Sequence, residues 1–418
     1  MKLPISKPNI LLPKKEIDPQ KWSVIACDQF TSDLDYWNSV FHFVGNSKSS
    51  LHLIYPEIFL NNEARKASFQ ADVSKIHKMM ENYLKEDIFT QFDGAIYLER
   101  ELGKLENNRI RKGLLLNIDL ESYDFSIDSK SPIRATEKTI LERLPARVHV
   151  RENAPLELPH ILLLFDDPKN AIFSALELEK GALLYDFELM FNANRVRGYG
   201  LDNFKKIEDI FSSFMSEKYA RSDNPILFAL GDGNHSLASA KTHWENVKKG
   251  LSEFEQSTHP ARYALVELIN LHDISLELFA IHRVLFNPPK DLEDRFFAFL
   301  KQYDFELKES LNSFKLITKN GTKTIAIKNI NIIDVITLIG EFIDSLSEIK
   351  EIKVDYIHEE ELLFEIAKNG GVGFHMPKLN KNELFLNVEK YGVLPKKAFS
   401  IGHGFEKRFY FEARKIRN

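Results

Sequence analysis

Residues 226–244 read ILFALGDGNHSLASAKTHW. The apolar run Ile226 to Leu230 breaks at Gly231, Asp232, Gly233 and Asn234, and apolar residues restart at Leu237, Ala240, Trp244 and Val247 with helical spacing. The stretch predicts a strand, a tight turn and a helix. A turn that delivers the chain into a helix N-terminus presents backbone N–H groups and the positive end of the helix dipole, which suits a phosphate, and glycine lets backbone approach a ligand closely. Gly231, Gly233, Asn234 and Ser236 are therefore candidate phosphate-binding residues, with Asp232 beside them to hold a metal ion or accept a proton and His235 to move one. The same pattern also fits a structural turn in which Asp232 or Asn234 caps the helix.

A second stretch, SPIRATEKTILERLPARVHVRENAPLELPH at 131–160, gathers Arg134, Lys138, Arg143, Arg147, His149, Arg151 and His160 with Glu137, Glu142, Glu152 and Glu157. Arginines beside acids that orient them are what bidentate recognition of carboxylate or phosphate requires. If 134–144 is helical, Arg134 and Lys138 share a face and the run also fits a solvated helix laced with ion pairs. The prolines of its second half favour an irregular, site-forming segment, with Arg134, Thr136, Glu137, Arg143, Arg147 and Arg151 as candidate substrate-binding residues.

Three further stretches carry weaker signals. VIACDQFTSDLDYWN at 24–38 runs an apolar strand into polar residues, which makes Asp28 a second candidate base, Cys27 a buried small side chain, and Thr31 or Ser32 a helix cap. NLHDISLELFAIHRVLF at 270–286 holds His272 and His282, whose spacing reads as solitary core or surface histidines rather than as a metal site. FSIGHGFEKRFYFEARK at 399–415 alternates aromatics and basics, which predicts an exposed edge strand, with Lys407 and Arg408 able to close over an anionic ligand.

The 418 residues carry a formal net charge of −5 and include one cysteine, so no disulfide closes within the chain and nucleic acid is not the expected partner. No apolar leader opens the sequence, and its longest apolar stretches are too short to span a bilayer, so a cytoplasmic protein away from membranes is expected. Strand candidates include RVHV, HILLLF, LLYDFELM and residues 384–388, with an amphipathic helix within 61–86 that puts Phe69, Val73, Ile76, Met80 and Tyr83 on one face and further helices over 202–218, 291–302, near 332–347 and near 357–368. The elements do not alternate as strict βαβ units, which favours an α+β (mixed α/β) architecture. The expected division is an N-terminal segment 1–125, a core 126–286 bearing both charged motifs, and a C-terminal segment 287–418 opened by the prolines of NPPK.

Together, IACDQFTSDLDYWN, RATEKTILERLPARVHVRENAPLELPHILLLFDDP, GDGNHSLASAKTHWE, ARYALVELINLHD, IHRVLF and FSIGHGFEKRFYFEARK closely resemble the bacterial family of unknown function DUF1015. The turn is similar to the DGHHR-type turn of the ParB/sulfiredoxin fold, which includes free serine kinases. Asp232, Gly233 and His235 match that turn, while Ser236 stands where its arginine would be. The resemblance implies a ParB/sulfiredoxin-like core and phosphoryl transfer in serine metabolism, with Mg²⁺ at Asp232, ATP, ADP or pyrophosphate as donor, and a small anionic metabolite as partner. A non-catalytic nucleotide- or metabolite-binding regulator and a ParB-like DNA-associated protein are the alternatives.

Overall fold

The structure is a computed structural model and describes residues 2–27, 30, 33–60, 63–103 and 109–417. It divides into two compact units, Met1–Leu276 with Gly402–Asn418, and Glu277–Ile401. The expected boundary at 125 falls inside the first unit, because strands on both sides of it share one sheet, and the last residues of the chain return to that unit.

Among the described residues the first unit is built on a ten-stranded mixed sheet. Its order runs Leu183–Glu188, Arg195–Leu201, Ala95–Leu102, Arg109–Asp119, Tyr263–Asn270, Leu162–Phe165, Phe228–Asp232, Ile133–Arg134, Tyr123–Asp124, with Ile5–Ser6 beside Arg109–Asp119. Parallel pairing enters where Leu162–Phe165 meets Tyr263–Asn270 and where Ile133–Arg134 meets Phe228–Asp232; the neighbouring pairs up to Phe228–Asp232 are otherwise antiparallel. This is the α+β architecture the element order predicts. Alternate residues along Ala95–Leu102 enter different cores, Ile96 and Leu98 on one face and Ala95 and Tyr97 on the other, so the sheet is covered on both sides. Helix Phe204–Tyr219 contributes Phe204, Ile207, Phe211 and Met215 to the second of these cores, and helix Phe69–Lys85 contributes Ile76, Met80 and Tyr83 to the first.

Some local expectations are corrected. No helix covers 134–144: residues Ile133–Arg134 are a short strand and the helix runs Leu144–Arg151, with a proline in its first turn. RVHV belongs to that helix and is not a strand, because Pro145 pre-sets the first helical turn. Residues 384–388 open the helix Leu384–Tyr391, whose Leu384, Phe385 and Val388 are buried at helical spacing; a short apolar run reads either way until its packing decides. Asp33, rather than Thr31 or Ser32, caps helix Leu34–Val44 by accepting the Tyr36 N–H at 2.9 Å. Asp28, Thr31 and Ser32 themselves lie outside the described residues.

The 399–415 stretch is the largest departure. It is no exposed edge: Phe409–Tyr410 pairs with Val24–Ile25, Arg414–Lys415 pairs with Leu156–Glu157, and Phe409, Tyr410, Phe411 and Ala413 are buried. The second unit is a separate six-stranded antiparallel sheet, packed with helices Leu292–Leu300, Ile332–Ser345 and Glu360–Lys368.

Candidate functional site

The turn at 231–234 is dictated by its neighbours. Asp232, the last residue of its strand, stands opposite Leu162 in the adjoining strand. Gly233 follows at φ +83°, and a Cβ there would lie 3.1 Å from the Ile161 Cα, so both the left-handed backbone and the close approach require glycine. Gly233 is also the helix N-cap, and its carbonyl accepts the N–H groups of Ser236 and Leu237 at 3.1 and 3.0 Å. Neither Asp232 nor Asn234 caps this helix through its side chain. Instead one Asp232 oxygen accepts its neighbour's Gly233 N–H at 2.9 Å and the other faces the Lys407 ammonium at 3.3 Å.

The charged segment and the turn meet. Thr136 Oγ1 donates to the Leu230 carbonyl at 2.7 Å, Asn234 Nδ2 donates to the Glu137 carbonyl at 3.2 Å, and Thr139 Oγ1 donates to Asn234 Oδ1 at 3.2 Å. His235 Nε2 accepts the Ile140 N–H at 3.4 Å, so this imidazole helps tie the two segments together. The hydroxyl of Ser236 turns to a third segment: its Oγ lies 2.7 Å from His160 Nε2, and His160 Nδ1 lies 2.9 Å from the Tyr410 hydroxyl.

The predicted arginines are placed differently from one another. Arg134 is buried and donates to the carbonyls of Ser131 and Asn224, which braces a loop. Arg147 pairs with Glu57 at 2.5 Å, Arg151 pairs with the buried Glu157, and Arg143 is exposed at the start of the helix Leu144–Arg151. Burial alone would raise the Glu157 carboxyl, but Arg414 and then Arg151 hold it below its ordinary range. Gly231 completes the strand that ends in Asp232.

The residues missed by sequence reasoning are Tyr410, on the returning segment, and Arg100 and Arg111, on strands Ala95–Leu102 and Arg109–Asp119, which hold that segment in place. Arg100 donates to the carbonyls of Phe405, Glu406 and Lys407, and Arg111 donates to that of Glu406 at 3.0 Å, so two buried guanidiniums grip the backbone that presents Lys407. Arg408 next to it pairs with Glu412 and lies 3.2 Å from Glu267, and its guanidinium sits 4.3 Å from the Phe409 ring. Arg408 is thus committed to the interior and does not face a ligand, whereas Lys407 does reach the turn. Phe405 of this segment also lines an open cleft of about 400 Å³ together with Phe30, Tyr36, Phe191, Asp33 and Asp35. Cys27 is half-buried, its thiol 3.9 Å from the Gly404 carbonyl.

In the second unit His282, His375 and Glu360 bring their side-chain nitrogens and oxygens within 4.8 Å of one another, a geometry that would draw attention as a metal site. His282 Nδ1 accepts the Met376 N–H at 3.1 Å, which leaves the proton of the neutral ring on Nε2 and no lone pair there for a metal. The two rings stack at 4.4 Å, and His375 Nε2 meets Glu360 at 3.0 Å. Burial, then the neighbouring His375, pulls the His282 pKa down to about 4. His272, by contrast, pairs with Asp166 at 2.7 Å in the first unit.

Fold and site together define a mixed α/β protein whose first unit joins a glycine turn, an imidazole–hydroxyl chain and a buried lysine paired with a half-buried aspartate. The family model of DUF1015, proteins of unknown function, matches residues 11–349, and the chain belongs to that family. No protein of curated function matches the chain. Among solved structures it is similar to a conserved hypothetical protein from Pyrococcus furiosus, with 12% identity, TM-score 0.39, and coverage of 76% of this chain and 98% of that one. It is similar in the same way to free serine kinase in complex with AMP and to a variant of that kinase in complex with ADP, each with 12% identity, TM-score 0.41 and coverage of 76% and 97%. Likenesses of this size carry no argument about the site. Among the described residues no helix is long and apolar enough to cross a membrane.

Proposed function

We propose that the chain is an enzyme of small-metabolite phosphoryl transfer, with serine or a similar hydroxy acid as acceptor. The observation that supports this most is the meeting of residues 136–140 with the 231–236 turn around the Asp232–Lys407 pair. Phosphate oxygens would sit at the N-terminus of helix Asn234–Val247, where the dipole and Lys407 favour negative charge. Lys407 acts as a point charge that releases Asp232 as it turns to phosphate. Asp232 then serves either as a Mg²⁺ ligand or as the base for the acceptor hydroxyl.

Mg²⁺ commonly enters with the phosphates of its donor and takes one or two protein carboxylates, and among the described residues Asp232 is the carboxylate this turn supplies. Bound with ATP, ADP or pyrophosphate, the ion would supply charge neutralisation. Arg147 and Arg151, engaged with Glu57 and Glu157, are supports in this reading, and His235 positions the two segments.

The test is thermal stabilisation by serine, phosphoserine, ATP, ADP and pyrophosphate, each with and without Mg²⁺. A ligand at 100 times its Kd adds about 2.7 kcal/mol to the native state. The expected result is a rise in Tm with a phosphorylated ligand that Asp232→Ala loses, followed by transfer of phosphate to the acceptor; no shift with any member of the panel overturns the reading, and binding without transfer makes the chain a regulator.

A further inference from the structure

We propose that Ser236 is a nucleophile and His160, held by Tyr410, is its general base, so that the site forms a bond between Ser236 Oγ and an electrophilic phosphorus centre. The proposal deepens the phosphoryl-transfer reading and rests on it for the identity of the electrophile. Its geometry stands apart from that reading.

The helix that carries Ser236 offers its own contrast. Hydroxyls inside helices usually bond back to the carbonyl four residues earlier, as Ser239 does to His235 at 2.6 Å and Thr242 does to Ala238 at 2.9 Å. Ser236, in the first turn of the same fourteen-residue helix, points at His160 Nε2 instead. The other ring nitrogen meets Tyr410, which completes the arrangement of nucleophile, base and orienting group. Ser236 and His160 are half-buried while Tyr410 is buried, so the open end of the chain is the serine. Burial, then the nearby Glu57 carboxylate, pushes the Tyr410 phenol up, which keeps it a neutral hydroxyl whose oxygen can accept a hydrogen bond from Nδ1–H.

In the step itself the Oγ–P bond forms as the bond from phosphorus to the leaving group breaks. The leaving group takes the bonding electron pair. The serine proton passes to His160 Nε2, the imidazolium keeps its Nδ1–H on the Tyr410 oxygen, and the Nε2 proton is then given to the leaving group. Charge that develops on the phosphoryl oxygens lies at the positive end of the helix.

The experiment is labelling of the full chain with a fluorophosphonate, in which fluoride leaves, followed by peptide mass spectrometry. One adduct on Ser236 is expected, absent in Ser236→Ala, with a rate that rises with pH as the imidazole general base loses its proton. His160→Gln slows labelling by roughly 100-fold or more, and Tyr410→Phe, which keeps the ring, slows it by roughly tenfold, as loss of an imidazole's outer partner does. Absence of an adduct on folded protein, an adduct on another residue, or a rate indifferent to His160→Gln overturns the proposal. If His160→Gln does not fold, a flat pH profile of the unaltered chain overturns it equally. A Ser236 adduct with no ligand-induced Tm shift keeps the nucleophile and rejects phosphoryl transfer; a ligand shift without an adduct does the reverse.

Discussion

His160 in the first unit and His282 in the second both stand beside a second aromatic side chain, yet their chemistry differs because of what each second nitrogen meets. His282 accepts a backbone N–H, a partner that can only donate, so its tautomer is locked. His160 lies between two hydroxyls, those of Ser236 and Tyr410, and a hydroxyl either donates or accepts, so the ring can pass a proton from one nitrogen without breaking the contact at the other. The first arrangement stabilises a strand end; the second is suited to proton transfer. A cluster of the right residue types is therefore a weaker guide to function than the hydrogen bond on the far side of each ring.

The most damaging way to probe the contrast is Arg408→Met, which leaves Glu412 and Glu267 without their buried guanidinium. Breaking one side of a buried pair costs about 3–5 kcal/mol, so denaturant unfolding should show the loss, and because Tyr410 and Lys407 lie on the same segment, ligand-induced stabilisation should fall with it. Full stability in this variant would mean that the returning segment does not hold the site together.

A smaller effect is expected from pH. His243 in the first unit is pulled down to about 4 by burial and then by Arg151, and His282 in the second to about 4 by burial and then by His375. Each ring is neutral in the folded chain where the unfolded ring already takes a proton, so stability is complete above the ordinary pKa near ~6.5 and declines as pH falls toward 4. His243→Gln and His282→Asn should each flatten the pH dependence of hydrogen exchange in its own unit. A dependence unchanged in both variants would locate the titration elsewhere.

The smallest expected effect is none at all. Zn²⁺ should leave the Tm unchanged, because His282 presents an N–H rather than a lone pair to His375 and Glu360. A Zn²⁺-dependent rise in Tm that His375→Ala abolishes would show that the ring can turn over, and would erase the distinction between the two histidine clusters.

Several features were legible in the sequence because they are local. Apolar spacing marks the helix Phe69–Lys85, and the GDGNH turn lies between a strand and a helix as its glycines require. Thr136 and Glu137 do meet the turn, although through a hydroxyl and a carbonyl rather than through charge. The arginines were harder to read. A guanidinium looks the same in sequence whether it awaits a phosphate or, as Arg151 does, satisfies a buried carboxylate.

The sequence by itself determined many of the elements, the strand–turn–helix around 231–234 and the chemistry available at Asp232, His235 and Ser236, since these depend on local periodicity, backbone sterics and side-chain type. Only the tertiary structure decided that Lys407 faces Asp232 and that Tyr410, 250 residues beyond His160, orients it. The chain leaves the first unit at Leu276, builds a second, and comes back at Gly402. Contacts closed across such a loop are set by strand pairing and burial in the completed core, and no spacing in the sequence encodes them.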